Sequence, residues 1–229
     1  MFLLSRSCFL ADKNMAADFL MLKLSCRFSE PFLRIYDWAE RSATCGYSQS
    51  VGDFSRESLC GLDKLVRRPV GGGLVIHELC DITYALSVPA NHEFFLTRPL
   101  LSYALLHKTI ALCLADFDCH CSLNASDSPR AKTEPAQCFK YPSANDLMLG
   151  EGIQKLAGAA QRRTRDGLLV QGSIKLPSAI SDKKQEVEAK LSLGLSEMLN
   201  SDFKLADFSD YIGKHELAEA AEGFPFIYI

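Results

Sequence analysis

The sequence predicts an α+β fold: a single domain over residues 1–229, built on a mixed, largely antiparallel sheet packed by helices. Three observations predict it. Short runs of strand type outnumber helical ones. Strands and helices follow one another without the regular alternation of a doubly wound sheet. The 229 residues suffice for one large core, with 48% hydrophobic and 23% charged side chains.

The elements follow in order. Met1 to Leu10 is apolar but short, and Arg6 interrupts it, so it reads as a first strand or packed arm rather than an export signal. Asp12 to Leu24 carries Met15, Phe19 and Leu22 at helical spacing, with Asp12 placed to cap it. Strands are expected at Phe32 to Tyr36 and Thr44 to Tyr47, and a helix from Asp53 to Leu62 ending at Gly61. Leu65 to Arg68 and Leu74 to His77 form short strands around three glycines, and Asp81 to Val88 alternates as a strand. Arg98 to Leu114 is an amphipathic helix. A short strand is expected at Asp118 to Ser122. The polar stretch Asn124 to Gln137 reads as an exposed loop that closes over the site. Strands then follow at Asn145 to Leu149, Gln154 to Gln161 and Gly167 to Leu176, with turns at Gly150 to Gly152 and Arg162 to Asp166. A C-terminal helical segment spans about 181–222, as helices from Ser181 to Leu199 and from about Ser209 to Ala221, before the apolar tail Phe224 to Ile229.

Charge and cysteine usage exclude several classes. A net charge of −3 offers no basic excess for nucleic acid. No apolar run reaches the roughly 20 residues that cross a bilayer, so no membrane span is expected. Nine scattered cysteines read as reduced thiols of a cytoplasmic protein. Cys119-His120-Cys121 has no second Cys/His pair at zinc spacing, and no metal site is expected.

Three segments carry chemistry. In Arg67-Arg68-Pro69-Val70-Gly71-Gly72-Gly73, glycines let a ligand approach the main chain, and the two arginines suit a carboxylate or phosphate. A bare triple glycine also reads as a flexible hairpin turn, and His77 four residues on reads equally as structural. Lys155, on a small-residue strand with Gly158 and Ala160, is suited to polarising a carbonyl or neutralising an anion; a solvent-facing edge lysine is the bland alternative. Cys138, between the polar loop and the Lys155 strands, is a nucleophile able to hold an acyl group as a thioester, or an incidental cysteine.

Together these segments resemble the lipoate–protein ligase and octanoyltransferase family, which shares its fold with biotin–protein ligases. The resemblance runs from Asn14 to about Leu176. It rests on Asn14-Met15-Ala16-Ala17-Asp18, Arg34 to Trp38, Gly46 to Gln49, the Arg67 to Gly73 loop with His77, Asp81 to Leu86, and Lys155 with Gly158 and Ala160. It implies a biotin/lipoate ligase-like domain that attaches an octanoyl or lipoyl group to one lysine of a carrier. The carriers implied are the lipoyl domains of 2-oxoacid dehydrogenase E2 chains and the glycine cleavage H protein. Cys138 with Pro142-Ser143 is similar to the cysteine segment of the transferase branch, which needs no cofactor and takes octanoyl from acyl carrier protein or another lipoyl protein. Asn145-Asp146 is similar to the ligase pattern, which needs ATP and Mg and passes through an acyl-adenylate. A lipoyl-protein-binding module would need neither Cys138 nor Lys155. One departure concerns the glycine-serine run, Gly172-Ser173, which in the family usually has a histidine beside it. Here Val170 and Gln171 stand there.

Overall fold

The computed structural model describes residues 1–125, 137–150 and 154–229. The first half contains β1 (Phe2–Leu4), β2 (Cys8–Phe9), α1 (Ala11–Phe28), β3 (Phe32–Trp38), β4 (Ser42–Cys45), β5 (Lys64–Arg67), β6 (Val75–His77), β7 (Ile82–Pro89), α2 (Glu93–Leu96) and α3 (Pro99–Ala115). The second contains β8 (Cys121–Leu123), β9 (Leu147–Leu149), β10 (Gln154–Thr164), β11 (Gly167–Ile174), α4 (Lys184–Met198), β12 (Lys204–Ala206), α5 (Phe208–Tyr211), α6 (Lys214–Ala221) and β13 (Phe226–Tyr228).

Among the described residues the main sheet runs β12-β1-β3-β7-β11-β10-β9-β8, with β2 beside β3. From β3 to β8 every pairing is antiparallel, and only β12, β1 and β2 pair parallel with their neighbours. The sheet is therefore mixed and largely antiparallel, as the sequence predicts. A smaller sheet runs β13-β5-β4-β6. The two strands around the glycines do not form a hairpin with each other. Both pair with β4, β5 parallel and β6 antiparallel, so the glycine segment crosses over β4.

Helices cover both faces of the main sheet. On one, Leu106, Ile110 and Leu114 of α3 and Val187, Leu191 and Leu195 of α4 pack on Leu86, Val88, Leu168 and Val170. On the other, Met15, Leu20, Met21 and Leu24 of α1 pack with Phe32, Tyr36, Ala85, Leu169 and Leu217. Each such buried side chain contributes roughly 1.5–3 kcal/mol of hydrophobic stabilisation. The small sheet has its own core of Ala43, Cys45, Phe54, Leu59, Leu65 and Leu74.

Three local expectations need correction. Asp12 does not cap α1; Leu10 is the N-cap and makes no side-chain cap, while Asp12 lies in the first turn. Asp53 to Leu62 is not an α-helix. A single 3₁₀ turn, Val51–Asp53, leads into turns ending at Cys60 and Gly61, both with positive φ. Ser55 and Ser58 exchange side-chain-to-backbone hydrogen bonds there, which compete with helical pairing. The stretch from Ser209 to Ala221 is two short helices parted at Gly213, the first capped by Asp207. The apolar tail forms β13, antiparallel to β5. Most of the expected closing loop, Asn124 to Gln137, lies outside the described residues, as do residues 151–153 of the expected Gly150 turn.

Candidate active site

Strand register lays out the floor of one cavity. Gly158, Ser173, Thr83 and Tyr36 stand in a row across β10, β11, β7 and β3, and Ala160, Gln171, Ala85 and Arg34 form the next row. Small residues on β10 leave space above the sheet. The cavity is a partly open cleft, and its walls include Met15, Val75, His77, Cys138, Phe139 and Lys155.

The glycine segment forms one wall. The buried guanidinium of Arg68 donates to the Gly71 and Gly73 carbonyls at 2.9 and 2.7 Å, and to the Thr44 carbonyl and hydroxyl at 2.9 Å each. Arg68 thus braces the loop from inside. Arg67 braces it from outside through the carbonyls of Gly46, Tyr47 and Gln49. Gly72 has φ +88°, a conformation that side chains disfavour, and a Cβ there would stand 3.5 Å from Cys138 Sγ.

Cys138 meets this wall directly. Its N–H donates to the Leu74 carbonyl at 2.9 Å, and its Sγ accepts the Gly73 N–H at 3.0 Å. A backbone amide is therefore aimed at the sulfur across 65 residues of sequence.

Lys155 comes from the opposite side. It is buried, and its Nζ donates to the Cys138 carbonyl at 2.8 Å and pairs with Asp146 Oδ2 at 2.6 Å. An ammonium has three N–H donors, so one is left over among the described residues. Gly158 makes this pose feasible, because a Cβ there would lie 2.5 Å from Nζ. Asp146 also accepts the Ser143 N–H at 2.6 Å and the Tyr103 hydroxyl. Asn145 is left-handed at φ 67°, and its carbonyl is 2.7 Å from His107 Nδ1.

His77 is buried between two hydroxyls, with Nε2 2.8 Å from Thr44 Oγ1 and Nδ1 3.4 Å from Ser173 Oγ, and it stacks on Trp38 at 4.0 Å. Burial, then the nearby Arg68 charge, holds its pKa well below the usual imidazole range, so the ring is neutral.

The floor ends in a buried ion pair. Arg34 donates to Asp18 Oδ1 at 2.7 Å; Tyr36 and Gln171 donate to Oδ2 at 2.8 and 2.6 Å. Burial pushes the Asp18 carboxyl up, and Arg34, Gln171 and Tyr36 oppose it. Gln171, one of the two residues beside the glycine-serine run where the resemblance implies a histidine, is therefore held by its amide nitrogen, while its Oε1 is buried with no hydrogen-bond partner among the described residues.

The structure brings together Arg68, Gly72, Gly73, His77, Cys138, Asn145, Asp146, Lys155, Gly158 and Ala160, and places Arg67 behind the loop. Sequence reasoning missed Tyr103, His107, Asp18 and Gln171 as members of the site. Tyr103 and His107 sit four apart on α3, which is the only local signal they give. Cys119 is buried beside the half-buried Cys121, with His120 exposed; among the described residues no group of three His, Cys, Asp or Glu side chains is placed to hold a metal. No helix among them is long and apolar enough to cross a membrane.

An apolar cavity over a sheet, with a cysteine at a backbone amide and a lysine beside it, has the groups that acyl transfer uses. The comparisons specify the class. Residues 11–216 match the family described as lipoyl protein ligase A/B catalytic domain, and the chain belongs to that family of acyltransferases and ligases. It is 30% identical over 224 residues to octanoyltransferase LipM of Carboxydothermus hydrogenoformans, covering 94% of this chain and 80% of that one. Alignments with proteins of the same name from Kyrpidia tusciae and Symbiobacterium thermophilum span 61% and 54% of those chains. Its fold is similar to a lipoate-protein ligase A bound with ATP, with TM-score 0.70 and 19% identity over 97% of this chain and 92% of that one. It is also similar to a bi-partite lipoate protein ligase from Thermoplasma acidophilum described with its E2 lipoyl domain, with TM-score 0.66, 17% identity, and 97% and 90% coverage.

Proposed function

We propose that this protein is a cytoplasmic octanoyltransferase that carries the acyl group on Cys138 and delivers it to a lysine of lipoyl-carrier domains. The observation that carries the reading is the placement of Cys138, with the Gly73 N–H on its sulfur and Lys155 on its carbonyl, at an apolar cavity. The names of the relatives support the octanoyl group, and the ligase described with its E2 lipoyl domain supports that class of acceptor. The reading takes residues 1–229 as one catalytic domain and needs no cofactor.

The chemistry is two substitutions at one carbonyl carbon, a thioester-to-thioester exchange and then a thioester-to-amide one. Cys138 Sγ attacks the thioester carbonyl of octanoyl–acyl carrier protein. The new carbon–sulfur bond forms as the donor's thiolate leaves and takes up the proton that Cys138 gives up. The acceptor ε-amine then attacks the octanoyl carbonyl, the amide forms, and the Cys138 sulfur leaves with the amine's proton. In both steps charge collects on the carbonyl oxygen. The third N–H of Lys155 and the Gly73 amide are the donors at hand for it. Arg67, Arg68, Gly71 and Gly72 hold the loop for that contact. Gly158 and Ala160 give room to the chain, His77 shapes its wall, and Asn145 with Asp146 orients Lys155.

The test is intact mass after incubation with octanoyl–acyl carrier protein, with and without ATP. The expected result is an octanoyl adduct on Cys138 without ATP, and neither adduct nor transfer to a lipoyl domain for Cys138→Ala. Undiminished attachment by Cys138→Ala that requires ATP, Mg and free lipoate would replace the transferase with the ligase reaction.

A further inference from the structure

The acyl-transfer steps use Lys155 but not the two α3 side chains that enclose its counter-ion. Tyr103 and His107 lie one helical turn apart, their rings meeting edge to face at 4.3 Å. The Tyr103 hydroxyl donates to Asp146 Oδ1 and accepts the Ala159 N–H at 3.1 Å. One hydroxyl thereby ties the carboxylate to the strand that carries Lys155. His107 is fully buried, and burial lowers its pKa to about 4, so its neutral ring donates one N–H to the Asn145 carbonyl. The other oxygen of Asp146 is filled by the Ser143 N–H and Lys155 Nζ.

Both carboxylate oxygens are thus fixed, and they fix the ammonium. With two of its N–H groups on Asp146 and the Cys138 carbonyl, the direction of the third follows from tetrahedral geometry. Losing the Tyr103 hydroxyl frees Oδ1, and the carboxylate can then turn about its last bond and take Nζ with it. Packing does not replace that constraint, because terminal carboxylate torsions are broad.

We infer that Tyr103 is a positioning residue for acyl transfer, acting on the acyl carbonyl through Asp146 and Lys155. The inference rests on the reading that Lys155 serves that carbonyl. Tyr103→Phe removes only the hydroxyl. The readout is single-turnover acylation of Cys138 by octanoyl-pantetheine thioester, followed by intact mass in wild type, Tyr103→Phe, Lys155→Met and the double variant.

Tyr103→Phe slows acylation roughly tenfold at saturating donor, a loss of one charge-assisted hydrogen bond, and shifts the half-saturating donor concentration by less than about twofold. In the Lys155→Met background the same change costs less than about twofold, because its route is already cut. Equal losses in both backgrounds, or no loss in wild type, overturn the inference. Lys155→Met acylated at the wild-type rate is a separate outcome, which overturns the role of Lys155 itself and the inference with it. The cycle is repeated with Tyr103→Leu, which also lacks the hydroxyl, so a folding defect in one variant does not decide the result.

Discussion

Gly158→Ala separates the chemistry of the site from its stability. The added Cβ would stand 2.4 Å from Lys155 Cε, 2.5 Å from Nζ and 3.0 Å from Asp146 Oδ1. The first two atoms end a flexible side chain, so the clash is relieved by moving Lys155 rather than the sheet. The overpacking then costs at the low end of about 1–3 kcal/mol, and the loss of glycine freedom in the unfolded chain offsets part of it. The displaced ammonium gives up its contacts at 2.6 and 2.8 Å. Charge-assisted bonds of this kind are worth roughly 1.5–3 kcal/mol each, and one of them lost from the transition state slows the reaction about ten- to a hundredfold. Octanoyl transfer to a lipoyl domain, measured beside a thermal melt, checks both halves. A well-folded Gly158→Ala with activity within about twofold of wild type refutes the reasoning.

Three further outcomes follow from the same geometry. Gly72→Ala forces a side chain into φ +88°, 3.1 Å from the Arg68 guanidinium. It is expected to cost about 1–2 kcal/mol in a denaturant melt and to slow Cys138 acylation, since the neighbouring Gly73 amide holds the sulfur. Arg34→Met leaves the Asp18 carboxylate buried without its cation, and a loss of about 3–5 kcal/mol is expected by chemical denaturation. His107 titrates near 6.5 when unfolded and at about 4 when folded. The unfolded chain therefore binds the extra proton as pH falls through that window, and stability drops with it, by up to about 3 kcal/mol below both values. His77 acts in the same direction. The melting midpoint of wild type should fall between pH 7 and pH 4, and less steeply in His107→Gln.

The sequence disclosed the elements whose signals are local. Periodic leucines marked α3, alternation marked β7, and the glycine loop with the Lys155 strand stood out as segments with chemistry. The failures have physical causes. Ser55 and Ser58 offered their own backbone hydrogen bonds where apolar spacing suggested a helix. Gly213 ended a helix that composition would have continued. Tyr103 and His107 looked like ordinary members of an amphipathic helix, because their partners Asp146 and Asn145 lie 43 and 38 residues away. Gln171, with Val170, stands out in the sequence only as a departure from a family pattern. Its tie to Asp18 spans 153 residues, and no local periodicity reports it.

The placement of the last strands bears on how the molecule is made. β5, which leads into the glycine loop, lies between β4 and β13, and β1 lies between β3 and β12. Ribosomes add roughly 5–20 residues each second, so the chain waits on the order of ten seconds between the appearance of β5 and that of Phe226. Until then β5 presents an unpaired edge, and so does β1 until Lys204 to Ala206 are available. Pairings this distant are slow to close, and open edges invite association with other chains. β5, the strand that leads into the glycine loop, therefore acquires its second neighbour only after Phe226 to Tyr228 have been made.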